Sequence, residues 1–258
     1  LSGGVDAALV TCTAADALGR DRVHCLMMPT RYTADMSQTD AAGLADALGV
    51  RYDTLAIESV FDGFCATLAP VFGDRPVDVT EENLQSRIRG TMLMAVSNKL
   101  GGLVLAPGNK SEMAVGYSTL YGDMVGGFSP LKDIFKTEVY RLAAYRNADA
   151  PVIPERILTR APSAELAPDQ KDSDSLPDYA ELDTILAAYV EDDASVEDLV
   201  GQGHDRETVA KVVKLLHRNE YKRRQAAPWV KVTTKAFGRD RRYPITSGFG
   251  RQPGGPGA

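Results

Sequence analysis

The stretch LSGGVDAALV, residues 1–10, places a glycine turn directly before a helix. The letters SGG supply the turn, and apolar positions with helical spacing follow over residues 5–18. Such a junction suits an anion, because glycine lets the backbone approach closely while free N–H groups and the helix dipole face the ligand. Asp6 in the first turn is placed to hold a metal ion beside a phosphate. An ordinary glycine turn followed by an acid is the competing interpretation of these residues alone.

Length and composition predict a globular protein. The chain has 258 residues, 44% of them hydrophobic, which suits one large domain or a domain with an appendage. A formal net charge of −6 argues against nucleic-acid binding, which normally needs a basic face. Cys12, Cys25 and Cys65 lack CxxC spacing and are expected to be buried free thiols in a reducing cytoplasm. No apolar run approaches the ~20 residues that span a bilayer, so we expect a cytoplasmic protein without membrane contacts.

Short apolar runs alternate with helical patterns, which predicts an α/β fold. The runs at 23–28, 51–57 and 103–106 are expected as strands. Units of this kind form a doubly wound parallel sheet with helices on both faces. The chain begins on the glycine turn, so a first strand is expected upstream of it. Helices are predicted at 5–18, 35–48, 59–72, 81–100 with Thr80 as N-cap, 136–146, 178–190, 195–200 and 205–221.

Three segments do not fit this alternation. The glycine-rich YGDMVGGFSPL, residues 121–131, is expected to pack as an ordered loop. Proline, serine and acids dominate residues 161–177, which indicates a mobile lid or an exposed connection. The tail from residue 226 is basic, and its end RQPGGPGA, residues 251–258, is expected to be disordered.

Ligands of parallel sheets bind at the carboxyl ends of the strands. The turn at Ser2, the segment after Met28 and residues 107–112 should therefore meet at one crevice. Asp6 and Glu112 then pair two carboxylates, which suits Mg²⁺ because this ion takes a few carboxylates and leaves its other positions to phosphate and water. A solvated acid at a helix start is the competing interpretation for Glu112.

Basic side chains and histidines give weaker signals. The guanidinium groups of Arg87 and Arg89 are suited to bind a phosphate or a carboxylate. Ordinary surface arginines are the competing interpretation. Lys136 and Lys222 are likewise either anion-binding residues or solvated surface lysines. The histidines are scattered, which supports neither a metal cluster nor a catalytic triad, and His24 in an apolar run is expected in the core.

Longer motifs resemble a known family. SGGVD is similar to the pyrophosphate loop of the ATP pyrophosphatases, enzymes that adenylate a carboxylate or carbonyl oxygen. Within that superfamily the chain resembles NAD synthetase, in particular the glutamine-dependent form, from Leu1 to about Phe249. The motifs that carry the resemblance are ENLQSRIRG, GNKSEMAVGYSTLYGDMVGGF, KTEVYRLAAYRN, PSAEL with DSDSLPDY, and YKRRQAAPWVKV followed by FGRDRRYPI.

The resemblance implies a fold, a reaction and partners. The fold would be adenine nucleotide alpha hydrolase-like, with a synthetase domain over 1–225, a tail over 226–258 and a glutaminase domain expected upstream. The reaction would be ATP-dependent amidation of nicotinic acid adenine dinucleotide to NAD through an adenylated intermediate, with Mg²⁺. Ammonia would be the nitrogen source, supplied from glutamine in the full-length form. Such ligases form a homodimer or higher homo-oligomer, here through the long helix around Met92.

The resemblance also implies roles for individual residues. Asp6 and Lys136 would be catalytic, and Asp6 and Glu112 would hold the metal. ATP would contact Ser2, Gly3, Gly4, Val5, Asp6, Ala7, Lys136 and Ser163. The dinucleotide substrate would contact Asn83, Arg87, Glu112, Tyr117, Ser118, Thr119, Leu120 and Lys222.

Two positions depart from the family pattern. Ala7 stands where the loop normally has a serine, and Pro107 stands where a threonine normally lies five residues before the glutamate. These departures motivate an alternative, a catalytically impaired relative that binds nucleotide without turnover. Another ATP pyrophosphatase, such as the synthetase part of GMP synthetase, is the alternative enzyme.

Overall fold

The structure is a computed structural model that describes residues 1–247. Its parallel strands β1 (His24–Met27) and β2 (Arg51–Thr54) pair in register, with His24 opposite Arg51. Helix α2 (Asp35–Leu48) joins them as a crossover, which confirms the βαβ prediction. The other helices are α1 (Val5–Leu18), α3 (Glu58–Phe72), α4 (Val79–Leu100), α5 (Lys110–Val115), α6 (Lys136–Asp149), α7 (Glu155–Thr159), α8 (Tyr179–Val190), α9 (Val196–Gly201), α10 (Arg206–Arg218) and α11 (Glu220–Arg223). Short 3₁₀ turns lie at Arg20–Arg22 and Asp172–Asp174.

The predicted strand at 103–106 is reduced to a single bridge. Leu105 pairs in parallel with Phe128 of the glycine-rich loop, and Ala106 N–H donates to the Phe128 carbonyl at 2.9 Å. Gly126 permits this approach, because a Cβ there would lie 3.0 Å from the Val104 carbonyl oxygen. The loop over 121–131 is therefore packed, as predicted, and it fixes the segment that leads into α5.

Several helix boundaries differ from the prediction. Thr80 does not cap α4: the Asp78 carboxylate accepts from Thr80 N–H at 2.7 Å while Glu81 accepts from Asp78 N–H, which is a capping box. The predicted helix at 205–221 divides at Asn219, whose side-chain amide donates to the Val115 carbonyl that ends α5. Helices α5 and α7 were not predicted, because each is too short to show a period.

Two of the apolar clusters among residues 1–247 matter most for the position of the site. One lies between α8, α9 and α10 and is centred on Leu186, Leu199 and Val213. The other packs α1 on α6 through Leu9 and Val139. This second core positions the site, because it fixes the N-terminal ends of α1 and α6 side by side.

The apolar face of α3 is not buried as its pattern suggests. Phe61 is buried against α4, whereas Phe64 is 47% exposed and Val71 is 73% exposed. Packing of α3 on α4 covers only one stripe of the helix, so the remaining apolar side chains face outward. Among the described residues 1–247, nothing covers these exposed apolar side chains.

The small set of cysteine and histidine side chains behaves mostly as expected. Cys12 and Cys25 are buried and free, while Cys65 is only partly buried. His24 is not a core residue, because its Nε2 lies 2.7 Å from the Asp53 carboxylate at the half-exposed sheet edge. Over residues 1–247 no helix is both long and apolar enough to cross a membrane.

The first part of the predicted tail packs on the body. Asp133 accepts hydrogen bonds from the backbone N–H groups of Val232 and Thr233, at 2.8 and 2.9 Å. Trp229 covers Lys132. The segment RQPGGPGA lies outside the described residues.

Candidate active site

The glycine turn has the geometry of an anion cradle. Gly3 has a φ of +77°, and a Cβ on it would lie 2.5 Å from the Ser37 carbonyl oxygen, so glycine is required there. Gly4 precedes α1 and provides no side-chain cap. The first N–H groups of α1 therefore stay open to a ligand, at the positive end of the helix dipole.

Three predicted residues meet beside this turn. Lys136 Nζ lies 2.5 Å from Asp6 Oδ2 and 3.2 Å from Glu112 Oε1. Asp6 comes from the first turn of α1, Glu112 from α5, and Lys136 begins α6. Helices distant in sequence thus place two carboxylates around one buried ammonium.

Neighbouring polar groups fix this cluster. Asn109 caps α5 by accepting from Glu112 N–H at 3.0 Å, and its amide donates to Asp6 Oδ1 at 2.8 Å. Lys136 N–H donates to Ser111 Oγ at 2.9 Å. The cap of α5 is therefore also the group that orients Asp6.

Burial and charge act in opposite directions on the cluster. Burial raises the pKa of Glu112, although the Lys136 ammonium favours the ionised carboxylate. Burial by itself would lower the pKa of Lys136, but the carboxylates of Glu112 and Asp6 outweigh it and raise that pKa. Lys136 is therefore a permanent positive charge at neutral pH.

The donor set fits a hard divalent cation. Asp6 and Glu112 present carboxylate oxygens toward the same point, and Mg²⁺ typically takes one or two protein carboxylates together with phosphate oxygens. Within residues 1–247 no group of three or more histidine, cysteine or acidic side chains is arranged to hold a metal by itself. A magnesium ion here would depend on phosphate for the rest of its ligands.

A third acid, which sequence reasoning missed, lies in the same place. Asp172 is 4% exposed and accepts a hydrogen bond from the Tyr179 hydroxyl at 2.9 Å. The sequence DSDSLPDY contributes to the family resemblance and overlaps the predicted lid or exposed connection, but neither prediction gives Asp172 a role, because acids in a polar segment are usually exposed. Tyr179, seven residues later at the start of α8, was the available clue, because a tyrosine that packs in the core needs a hydrogen-bond partner for its hydroxyl.

The segment 161–177 folds over the crevice. Glu165 accepts from Ser37 Oγ at 2.6 Å and forms an ion pair with Arg160 at 3.1 Å. Gln85 on α4 donates to the Leu166 carbonyl at 2.9 Å. The segment is tied to α2 and α4, so the exposed-connection interpretation is wrong for its first half; its mobility stays a prediction.

A cavity of about 340 Å³ lies between the turn, the segment 161–177 and the 105–108 segment. Arg89 also lines it and donates to the Met28 carbonyl at 2.9 Å. The predicted site residues that line it are Ser2, Gly3, Gly4, Val5, Asp6, Ala7, Glu112, Tyr117, Ser118, Lys136 and Ser163.

The other predicted substrate residues lie outside this cavity and hold the 116–120 loop. Thr119 donates to Asn83 Oδ1 at 2.8 Å, and Arg87 donates to the Leu120 carbonyl at 3.2 Å. Lys222 Nζ donates to the carbonyls of Gly116 and Ser118, both at 2.7 Å. These side chains shape the loop that carries Tyr117 and Ser118.

Comparison with known proteins agrees with the geometry. A family profile described as NAD synthase matches residues 1–226. A curated relative from Acinetobacter baylyi, described as a glutamine-dependent NAD(+) synthetase, is 56% identical over 251 residues, which are 96% of this chain and 46% of the relative. One from Xanthomonas campestris with the same description is 55% identical over 98% of this chain and 46% of the relative. The chain thus spans about half the length of these relatives.

Solved structures have a similar fold. A glutamine-dependent NAD+ synthetase from Acinetobacter baumannii, in complex with adenosine diphosphate, is 52% identical with a TM-score of 0.62 and covers 95% of this chain and 44% of its own. An NMN synthetase from Francisella tularensis is 25% identical with a TM-score of 0.73 and covers 88% of this chain and 86% of its own. The α/β architecture of this chain is therefore that of its structural neighbours.

Proposed function

The chain belongs to the NAD synthase family, and we propose that its crevice adenylates the carboxylate of nicotinic acid adenine dinucleotide with ATP and then converts the adenylate to the amide. The observation that carries the proposal is the Asp6–Lys136–Glu112 cluster beside an open helix N-terminus. A site that binds phosphates and compensates their charge is what adenylation needs.

The reaction requires activation of the substrate, because an ionised carboxylate is a poor electrophile. Adenylation joins the carboxylate oxygen to the α-phosphorus of ATP and expels pyrophosphate. The N–H groups of the turn at Gly3 and Gly4 bind the departing phosphates, and the Lys136 ammonium balances charge that develops on them. Ser163, which lines the same cavity, positions ATP from the segment 161–177.

Asp6 and Glu112 are proposed to hold Mg²⁺ when nucleotide is bound. The ion supplies charge neutralisation at the phosphate oxygens. Lys136 contacts the same two carboxylates, so its ammonium would lie beside the phosphates if Asp6 and Glu112 held the cation. Asn109 keeps Asp6 oriented through its 2.8 Å hydrogen bond.

The dinucleotide is proposed to bind along the 116–120 loop. Tyr117 and Ser118 line the cavity, and Ser118 Oγ is buried without a hydrogen-bond partner among residues 1–247. An orphan hydroxyl in a binding cavity is an expected ligand contact. Asn83, Arg87 and Lys222 set the shape of this loop, as their hydrogen bonds to Thr119, Leu120 and Gly116 indicate.

The uncovered apolar face supports assembly as a homodimer. Its members are Val60, Phe64, Val71, Val79, Met94 and Leu100 on α3 and α4. Exposed apolar patches of this kind mark interaction surfaces. Replacing Phe64 and Val71 by Glu should convert a dimer to a monomer in analytical ultracentrifugation, and a parent chain that sediments as a monomer contradicts this part of the proposal.

Turnover tests the proposed function directly. With ATP, Mg²⁺, nicotinic acid adenine dinucleotide and ammonium, the chain should form NAD, AMP and pyrophosphate in equal amounts. Parallel reactions with nicotinic acid mononucleotide and with xanthosine monophosphate test other acceptors. Nucleotide binding without turnover would favour the impaired relative motivated by Ala7 and Pro107, and turnover with xanthosine monophosphate alone would overturn the proposal.

A further inference from the structure

One wall of the cavity belongs to the C-terminal part of the chain. Residues 226–229, with the sequence AAPW, are called the strap, and its two alanines line the cavity. The strap begins directly after Gln225, whose side-chain oxygen accepts a hydrogen bond from the Tyr121 hydroxyl at 2.8 Å. Tyr121 follows the 116–120 loop, so the strap lies at the end of the cavity where the dinucleotide is proposed to bind.

Contacts with the segment before α6 hold the strap, which has no helix or strand of its own. Ser129 N–H donates to the Pro228 carbonyl at 2.9 Å, and Lys132 Nζ donates to the Ala227 carbonyl at 2.8 Å. The Trp229 ring lies over the same ammonium, with Nζ 4.0 Å from the ring centre. Lys132 therefore contacts the strap at two points, one on its backbone and one on its aromatic side chain.

Packing alone does not explain a lysine at position 132. Lys132 is 4% exposed, and no carboxylate within residues 1–247 forms an ion pair with it. A buried ammonium without a counter-charge is costly, and an apolar side chain of similar length would fill the space without that cost. Lysine adds a charged donor for a carbonyl and a cation for an aromatic face, and both contacts depend on direction. These contacts fix where the strap lies.

We propose that Lys132 is a positioning residue that latches the strap, so that the wall formed by Ala226 and Ala227 is in place for the acceptor dinucleotide. This inference rests on the proposed function, because it concerns a substrate of that reaction. Lys132 does not line the cavity, so it acts through the strap and not by touching the substrate. Without the latch, only a fraction of the molecules has the strap in place, and the apparent affinity for the dinucleotide falls by that fraction.

The latch should affect the dinucleotide more than ATP. ATP is proposed to bind at the glycine turn and at Ser163, whose hydroxyl donates to the Gln170 carbonyl. Within residues 1–247 the hydrogen bonds of the strap go to Arg223, Ser129 and Lys132, and none reaches the ATP side. A KM that rises for one substrate alone therefore distinguishes positioning of the strap from a general loosening of the site.

The experiment compares Lys132→Met with the parent chain at pH 7. This is below the pKa of about 8 that burial gives Lys132, so the parent ammonium keeps its proton. KM for the dinucleotide should rise about tenfold, the equivalent of one hydrogen bond. KM for ATP and kcat of the ammonium-driven reaction should stay within about twofold, because the latch changes binding and not the chemical step. Lys214→Met on the exposed side of α10 is the control, and it should match the parent in all three quantities.

Fluorescence reports the strap directly, because Trp229 is the only tryptophan of the chain. Quenching by acrylamide measures how readily a solute reaches its ring. Quenching should be steeper in Lys132→Met than in the parent. Saturating dinucleotide should return it toward the parent value, since the substrate favours the molecules whose strap is in place. Steeper quenching that does not respond to the dinucleotide contradicts the inference.

A double-mutant cycle tests the contact between Lys132 and Trp229. Trp229→Leu removes the aromatic face without changing the residues that line the cavity, and its KM for the dinucleotide should rise about threefold, the equivalent of a cation–π contact. Because both substitutions break the same latch, the double variant should have the KM of Lys132→Met alone. A KM that rises by the product of the two single effects contradicts the shared role.

The other outcomes overturn the inference. A KM for the dinucleotide equal to that of the parent in a folded Lys132→Met does so, and so does an equal rise in KM for ATP. If Lys132→Met melts early, Trp229→Leu decides, and an unchanged KM there overturns the latch. A parent chain that binds the dinucleotide without forming NAD defeats the proposed function, and calorimetric dissociation constants then replace KM in the same comparison. A parent chain that does not bind the dinucleotide overturns both.

Discussion

Lys110 and Lys136 are both buried and both lie between two carboxylates, yet their surroundings differ. Lys110 Nζ contacts Glu191 at 2.7 Å, Asp133 at 3.1 Å and Thr233 Oγ1 at 2.6 Å, with no exposed surface. Lys136 contacts Asp6 and Glu112 and faces the cavity. The Lys110 ammonium is enclosed by protein groups and links the segments that carry them. The Lys136 ammonium also faces the cavity, where it can interact with a bound anion.

Lys110 and Glu112 both belong to the GNKSE motif, but they have different roles. Lys110 ties the start of α5 to the end of α8 and to the tail, and α5 carries Glu112. The Lys110 cluster therefore supports the Lys136 cluster without touching the cavity. Stability should depend on the first cluster, and activity on the second.

The largest expected effect is on activity in Lys136→Met. Removing the ammonium takes away charge compensation for the phosphates, so kcat/KM for pyrophosphate formation should fall about 10³-fold. The free energy of unfolding should change by less than about 2 kcal/mol, because the Asp6 and Glu112 side chains are partly exposed at the cavity, where water can solvate them after the ammonium is removed. Lys214→Met on the exposed side of α10 is the control, and a comparable loss of activity in it would remove the special role of Lys136.

The next effect is on stability in Lys110→Met. Breaking a fully buried ion pair from one side leaves Asp133 without its cation and should cost about 3–5 kcal/mol of unfolding free energy, measured by denaturant titration. Asp133→Asn in the same chain should recover part of this loss. Equal free energies of unfolding for Lys110→Met and Lys136→Met would contradict the distinction between the two clusters.

A smaller effect concerns Lys132, a third buried lysine without an ion pair in the described chain. Its Nζ donates to the Ala227 carbonyl at 2.8 Å and lies 4.0 Å from the Trp229 ring centre. Burial lowers the pKa of Lys132 to about 8, below the value of ~10.4 in an unfolded chain. The unfolded chain therefore binds more protons between these values, and stability should rise with pH across that window.

Denaturant titration at pH 7.5 and 9.5 measures this rise. The parent chain should gain about 2 kcal/mol over Lys132→Met between the two pH values, since the cost of the buried charge disappears as Lys132 deprotonates. A pH dependence that is identical in both chains would show that Lys132 is solvated.

The sequence predicts helices whose apolar residues recur at regular spacing, and it predicts site residues that belong to recognised motifs. Helices α1 and α2 have the predicted bounds, and Asp6 and Glu112 lie close together, as expected from strand ends that converge on one edge. The position of Lys136 beside them was implied only by the family motif KTEVYRL. The strand at 103–106 was only partly predictable, because its partner Phe128 belongs to a glycine loop without alternation.

Residues that are buried only by tertiary contacts could not be identified from the local sequence. Asp172 lies in a polar segment whose burial depends on α8 closing over it through Tyr179. Lys110 and Asp133 resemble surface residues until the tail brings Thr233 against them. Nor does the pattern of α3 tell whether its apolar face packs inside the chain or against another molecule.

The proposed function requires that the crevice forms an adenylate of the substrate carboxylate. Isotope transfer tests it: nicotinic acid adenine dinucleotide with ¹⁸O in the nicotinate carboxylate is turned over with ATP, Mg²⁺ and ammonium, and the products are examined by mass spectrometry. If the substrate carboxylate is adenylated, each AMP carries one ¹⁸O atom and pyrophosphate carries none. Label in a phosphate product other than AMP, or AMP without label, would contradict it.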